Sequence, residues 1–229
     1  MTTRLAVVTG SSRGLGAALT EHLAGQGWDV VACVRTESAA MAIKRAGVEP
    51  VLQDVRAPVN EALVAAVRGR PVDVLVNNAG TGAPARPLED CDPRMILDAV
   101  DVNVAGPMRL TQALLPMLLA APAPLIINVS SRLGSLAAQA AGDFAGWRTS
   151  YAYRISEAAQ NMLTVALAQE LAGRVRCWAV HPGSLTTAMG RGDADTSPHE
   201  AAVRLGQLLD SSDTTSPRYL SLEGADLRW

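Results

Sequence analysis

Residues 7–16 read Val7-Val8-Thr9-Gly10-Ser11-Ser12-Arg13-Gly14-Leu15-Gly16. A short β-branched run stops at three closely spaced glycines, and a helical pattern begins directly beyond them. Glycines there let the backbone turn sharply and approach a ligand closely. The exposed N–H groups at the start of the helix then suit an anion with the shape of a pyrophosphate. Glycines at this spacing also occur in tight turns that hold nothing. Their position straight after a first strand makes them a binding signature.

Working outward, the same alternation runs to the far end of the chain. Apolar stretches at 5–9, 30–34, 48–53, 72–77, 125–130 and 175–180 predict strands, and most are continuously apolar rather than alternating. That is the pattern of parallel strands covered on both faces. Between them, residues 14–26, 38–46, 59–68, 93–120 and 153–171 predict helices. Strand–helix alternation implies right-handed crossovers and an α/β fold: a single Rossmann-type, doubly wound, mainly parallel sheet with helices on both faces. No repeat or linker divides the sequence, so one domain over residues 1–229 is expected. The polar, breaker-rich run 190–198 predicts a mobile loop before a last helix at 199–209.

Composition excludes several function classes. With 20 basic and 22 acidic residues the chain has a net charge of −2, which offers no broad basic footprint for nucleic acid. Aromatic residues are 3% of the chain, too few for a single-strand stacking platform. The three cysteines and three histidines are scattered, with neither a CxxC pair nor an HxxxH spacing, so no metal site is expected. The apolar stretch 113–127 is broken by Pro116, Pro122 and Pro124, and no signal-peptide core follows Met1; a soluble cytoplasmic protein without membrane contact is the expectation.

The motifs resemble, in order, those of the short-chain dehydrogenase/reductase family. Thr9-Gly10-x-x-x-Gly14-x-Gly16 matches its glycine pattern, and Asn77-Asn78-Ala79-Gly80 its motif after the fourth strand. Asn103 in the long helical region, Ser130-Ser131 after the fifth strand, and Pro182-Gly183 through Thr187 complete the match over about residues 5–190. Segments 131–135, 151–156 and 222–229 are similar to a subgroup containing the C-factor signalling protein and sniffer-like carbonyl reductases. The resemblance implies a nicotinamide dinucleotide held by Gly10, Ser12, Arg13, Gly14, Leu15, Gly16, Arg35, Asp54, Val55, Asn78, Ala79, Gly80, Pro182, Gly183 and Thr187. It also implies a small carbonyl substrate and a homodimer or homotetramer. Where NAD readers of such folds carry an acid after the second strand, this chain has Arg35, with Arg13 in the glycine turn. Two guanidinium groups suit a 2′-phosphate, so NADP(H) is expected over NAD(H).

In the family a tyrosine handles the proton, a lysine four residues later lowers its pKa, a serine holds the substrate oxygen and an asparagine supports a water relay. Tyr153, Ser131 and Asn103 fall in those positions, but the lysine position is Glu157. Tyr151 as the alternative tyrosine puts Ile155 there, and Lys44 is the chain's single lysine. Exchanging a cation for an ionised carboxylate about 5 Å from the phenol raises its pKa by on the order of 1–5 units. Tyr153 then stays neutral, which favours reduction over alcohol oxidation. Glu157 protonated by burial, an arginine (Arg132, Arg148 or Arg154) replacing the cation, and a chemistry other than hydride transfer with Glu157 as base are three further outcomes. The expected function is therefore NADP(H)-dependent reduction of a ketone or aldehyde with an atypical site. A non-redox isomerisation, dehydration or cyclisation, or a dinucleotide-binding signalling role, are the alternatives. Residues 137–149, which lengthen the gap between Ser131 and Tyr153, are expected either to cover the substrate entrance or to form a surface loop.

Overall fold

The computed structural model describes residues 3–67, 69–186, 195–224 and 226–229. Seven strands form one wholly parallel sheet in the order β3-β2-β1-β4-β5-β6-β7. They are β1 (Leu5–Thr9), β2 (Asp29–Val34), β3 (Val48–Leu52), β4 (Val74–Asn77), β5 (Leu125–Val129), β6 (Arg176–His181) and β7 (Arg218–Ser221). The helices are α1 (Gly14–Gly25), α2 (Glu37–Ile43), α3 (Glu61–Val67), α4 (Arg94–Val100), α5 (Gly106–Leu119), α6 (Leu136–Ala141), α7 (Tyr151–Glu170) and α8 (Pro198–Leu209).

Alternate side chains of each strand feed two cores, as the two-residue period of a strand requires. Ala6, Val8, Val30, Ile127, Trp178 and Val180 pack with Leu19 and Leu23 of α1 and Leu205 of α8. Leu5, Val7, Val31, Leu75, Ile126 and Cys177 pack on the other face with Leu63 of α3, Leu110 and Leu114 of α5 and Leu167 of α7. Both faces are covered, and this is why the strands read as continuous apolar runs. Strand order reverses between β1 and β4, so the crevice at their carboxyl ends is the place where such sheets bind ligands.

Three expectations need correction. The seventh strand was not anticipated: Arg-Tyr-Leu-Ser is too short and too polar to stand out, yet Tyr219 and Leu220 are buried on the sheet edge. The helix expected over 93–120 is two helices separated by a π-helical turn at Asp101–Ala105, which Gly106 and Pro107 follow. Residues 137–149 are not simply a surface loop. They include most of α6, capped by the Ser135 hydroxyl on the Ala138 amide at 3.0 Å and closed by Gly142 at positive φ. The expected loop at 190–198 and Thr187 lie largely or wholly outside the described residues.

Candidate active site

The glycine turn after β1 is clamped by the Asn-Asn-Ala-Gly segment after β4. The Thr9 hydroxyl accepts from the amides of Asn78 and Ala79, both at 3.0 Å, and the Asn78 side chain donates to the Thr9 carbonyl at 2.9 Å. This packing leaves no room for larger residues. A Cβ on Gly16 would sit 2.4 Å from the Asn78 amide nitrogen and from the Gly10 carbonyl oxygen, and one on Gly10 2.8 Å from Ala79 Cα. Arg13, the residue before α1, offers no side-chain cap, so the first amides of the helix remain open to a ligand. A pyrophosphate fits this cradle. Arg13 and Arg35 are both exposed, Arg35 immediately beyond β2. Ser12 is exposed and Leu15 and Val55 are buried, while Asp54 chelates Arg56 at 2.8 Å. Gly80 and the Pro182-Gly183 turn lie beyond the ends of β4 and β6, at the same edge of the sheet.

The four expected catalytic residues come together beside it. Ser131 caps the turn at Arg132–Gly134, its oxygen accepting from the Leu133 amide at 3.2 Å while its hydroxyl faces the Tyr153 phenol. The Ser150 hydroxyl caps the start of α7 and fixes the turn that carries Tyr153, accepting from the Tyr153 amide at 3.1 Å. Asn103 projects from the π turn, a deviation that recurs at functional sites. Its side-chain oxygen accepts from the Thr81 amide at 2.8 Å, and its nitrogen donates to the Thr81 carbonyl and the Ser156 hydroxyl, each at 2.9 Å. It reaches one oxygen of Glu157 at 3.4 Å. Asn103 thus ties the segment after β4 to α7.

Glu157 lies one helical turn past Tyr153 and is 4% exposed. Burial pushes its carboxyl group up to about 8, with the Ser130 hydroxyl and Ser131 amide opposing. Its second oxygen, Oε2, has no hydrogen-bond partner among the described residues. Burial thus favours the neutral carboxylic acid over the carboxylate at neutral pH. Burial, then the neighbouring Glu157, raise the Tyr153 phenol far above its ordinary range, against a smaller lowering by Ser131. Neither group gains a cation from the described residues. Arg132 lies over the Trp147 ring at 5.0 Å and Arg154 over Tyr151 at 5.3 Å, while Arg148 is exposed. The expected arginine substitute for the lysine is not found at the phenol among the described residues.

Several residues of this site were not singled out in the sequence. The Tyr219 hydroxyl donates to the Ser131 carbonyl, burial holding its own pKa up at about 12. Asn161 accepts from the Ser130 hydroxyl at 2.7 Å. His181, at the end of β6, is buried with both ring nitrogens unpartnered among the described residues. Burial and then the Arg132 charge depress it to about 4, so it is neutral. The end of the chain closes the far side: Trp229 lies against Tyr219 at 5.1 Å, its carbonyl accepts from the Ala137 amide at 2.9 Å, and Arg228 pairs with Asp143 at 3.1 Å.

This arrangement has relatives. The family model described as short chain dehydrogenase matches residues 4–197. The chain belongs to the short-chain dehydrogenases. This short-chain dehydrogenase is 34% identical over 162 residues to the C-signal of Myxococcus xanthus, an alignment covering 69% of this chain and 93% of that one. Its fold matches NADPH-bound carbonyl reductase from chicken fatty liver with a TM-score of 0.88 and 27% identity, over 100% of both chains. It likewise matches the carbonyl reductase Sniffer of D. melanogaster with a TM-score of 0.86 and 26% identity, again over 100% of both chains. No helix among the described residues is long and apolar enough to cross a membrane, and no group of histidine, cysteine or acidic side chains among them forms a metal site.

Proposed function

We propose that this short-chain dehydrogenase reduces a ketone or aldehyde with NADPH. The observation that carries the reading is the pairing of the half-buried Tyr153 with the buried Glu157, with no cation beside them among the described residues. When bound, the nicotinamide supplies hydride to the carbonyl carbon. The chain's own part is to hold and protonate the oxygen. Ser131 and Tyr153 present two hydroxyl donors to it, and Tyr153, a neutral phenol, gives up its proton as negative charge develops there. The protonated Glu157 and the amide of Asn103 stand behind the phenol, where a neutral acid costs the developing tyrosinate far less than a carboxylate would. A phenol held neutral keeps the proton that carbonyl reduction consumes, while the tyrosinate that alcohol oxidation needs is scarce at neutral pH.

The same protonation counts against an isomerase or dehydratase in which Glu157 is the base, since near neutral pH that group already carries its proton. For the cofactor, the support is the carbonyl reductase relative with NADPH bound, together with Arg13 and Arg35 beside the cradle. A homodimer or homotetramer belongs to the same reading, supported by exposed apolar side chains on α4, α5 and α7, among them Leu97, Met108, Ile155 and Met162.

The test is consumption of NADPH by the purified protein with a panel of aldehydes and ketones, followed through the absorbance of the reduced nicotinamide. Turnover with at least one class, weakened by Tyr153→Phe and by Ser131→Ala, is expected. Tight NADPH binding with no turnover on any carbonyl would replace the reductase with a dinucleotide-binding protein.

A further inference from the structure

The residue after Ser131 is an arginine without a counter-charge among the described residues. Arg132 is half-buried, and its guanidinium lies over the face of Trp147 at 5.0 Å from the ring centroid. No carboxylate among the described residues pairs with it. Asp143, the single acid between positions 131 and 156, is engaged by Arg228 at 3.1 Å. Glu157, the next acid along, is itself protonated by burial. The same stretch carries Arg148 and Arg154, so three arginines face one aspartate that is already neutralised. Arg154 is spent on Tyr151 and on the Gln139 side chain, whose oxygen accepts at 3.4 Å. Among the described residues, Arg132 is left as a charge held over Trp147 without an anion.

A second observation points the same way. The buried His181 imidazole lies in the field of Arg132, and neither of its nitrogens has a partner among the described residues. A buried polar group left unpaired costs on the order of a hydrogen bond or more, so such groups commonly await a ligand or water. A neutral imidazole carries one N–H donor and a guanidinium several, and both suit an oxyanion.

We propose that Arg132, assisted by His181 and backed by Trp147, forms an anion subsite next to the carbonyl position, so that the preferred substrate carries a carboxylate on the same molecule as its ketone or aldehyde. The proposal rests on the reductase reading for where the carbonyl lies. The guanidinium fork binds the carboxylate. The tryptophan face fixes the plane of the guanidinium, as stacked arginines are held elsewhere.

The test compares meta- and para-formylbenzoate with their methyl esters as substrates under NADPH. The wild type is expected to favour at least one acid over its ester by tenfold or more in kcat/KM. Arg132→Met, which keeps an apolar stem against Trp147, should reduce that acid-to-ester ratio at least tenfold, and Arg132→Lys should recover part of it. A ratio is insensitive to a general loss of folded enzyme. Equal kcat/KM for acids and esters, or a ratio unmoved by Arg132→Met, overturns the subsite. Calorimetric titration of the NADP-loaded protein with benzoate and benzamide separates this from failure of the reductase reading. Benzoate binding that Arg132→Met abolishes, without any aldehyde turnover, upholds the subsite and sinks the reductase. Aldehyde turnover without benzoate binding does the reverse.

Discussion

The phenol of Tyr219 donates a hydrogen bond to the main-chain carbonyl of Ser131 at 2.5 Å, across 88 residues of sequence. The sheet's edge strand thereby braces the turn that presents the Ser131 hydroxyl, and Trp229 packs against the bracing ring. The Ser131 carbonyl also accepts from the Gly134 amide at 2.8 Å, so it is not orphaned when the phenol is removed.

Tyr219→Phe keeps the ring, its burial and its contact with Trp229. The loss is the net worth of one hydrogen bond, about 0.5–1.5 kcal/mol, and the melting temperature should fall by roughly 1–6 °C. Because Ser131 is then held less firmly, kcat for carbonyl reduction should drop several-fold while the affinity for NADPH is unchanged. An unaltered kcat alongside the lowered melting temperature would reduce Tyr219 to a packing residue.

Glu157→Lys restores the cation the family places there. A lysine within one helical turn of Tyr153 stabilises the tyrosinate, and alcohol oxidation with NADP should rise at least tenfold at neutral pH. The surroundings resist it, because the Asn103 amide and the Ser131 amide present hydrogens rather than acceptors to this position. The variant should therefore also be less stable than the wild type in thermal denaturation. Folded protein with no gain in oxidation would mean the phenol does not sense this position.

The fold was open to reading because its strands are buried on both faces, which leaves continuous apolar runs such as Leu5–Thr9. The edge strand Arg218–Ser221 escaped because an edge strand meets fewer neighbours and tolerates polar residues. At the site, Tyr153 and Glu157 share a helix face by local spacing, so their juxtaposition was legible four residues apart. The protonation of Glu157 was left open among alternatives, since burial depends on what the rest of the chain lays over a residue. Asn103 was placed by motif, but the π turn that aims it has no sequence signature. Tyr219 and His181 reach the site only through the stacking order of β6 and β7, which no local pattern encodes.

The proposed preference for NADPH predicts a role for Arg35. It is exposed and follows β2 directly, with Asp54 as a charged neighbour, so its guanidinium is open to a 2′-phosphate. A charge-assisted hydrogen bond to phosphate is worth about 1.5–3 kcal/mol. Arg35→Ala should therefore weaken NADPH binding by roughly ten- to hundredfold and leave NADH within twofold, measured by calorimetry. Equal affinity of the wild type for the two dinucleotides would remove the preference.

Stability should vary with pH in a direction set by two buried groups. Glu157 titrates at about 8 in the folded chain against 4.5 for an ordinary carboxyl, so the folded state holds a proton the unfolded state has lost. Its contribution is fully present below 4.5 and is lost as pH rises through 8. His181 runs the other way: depressed to about 4 from 6.5, it contributes above 6.5 and loses that contribution as pH falls through 4. The two oppose each other between 4.5 and 6.5, where they roughly cancel. Only Glu157 acts between 6.5 and 8, so unfolding free energy should decline there, with a slope approaching about 1.4 kcal/mol per pH unit. Glu157→Gln keeps the shape and neutrality of the buried acid, and urea unfolding should show the decline abolished. A wild-type stability that stays flat or climbs over that interval would place a carboxylate, not a carboxylic acid, beside Tyr153.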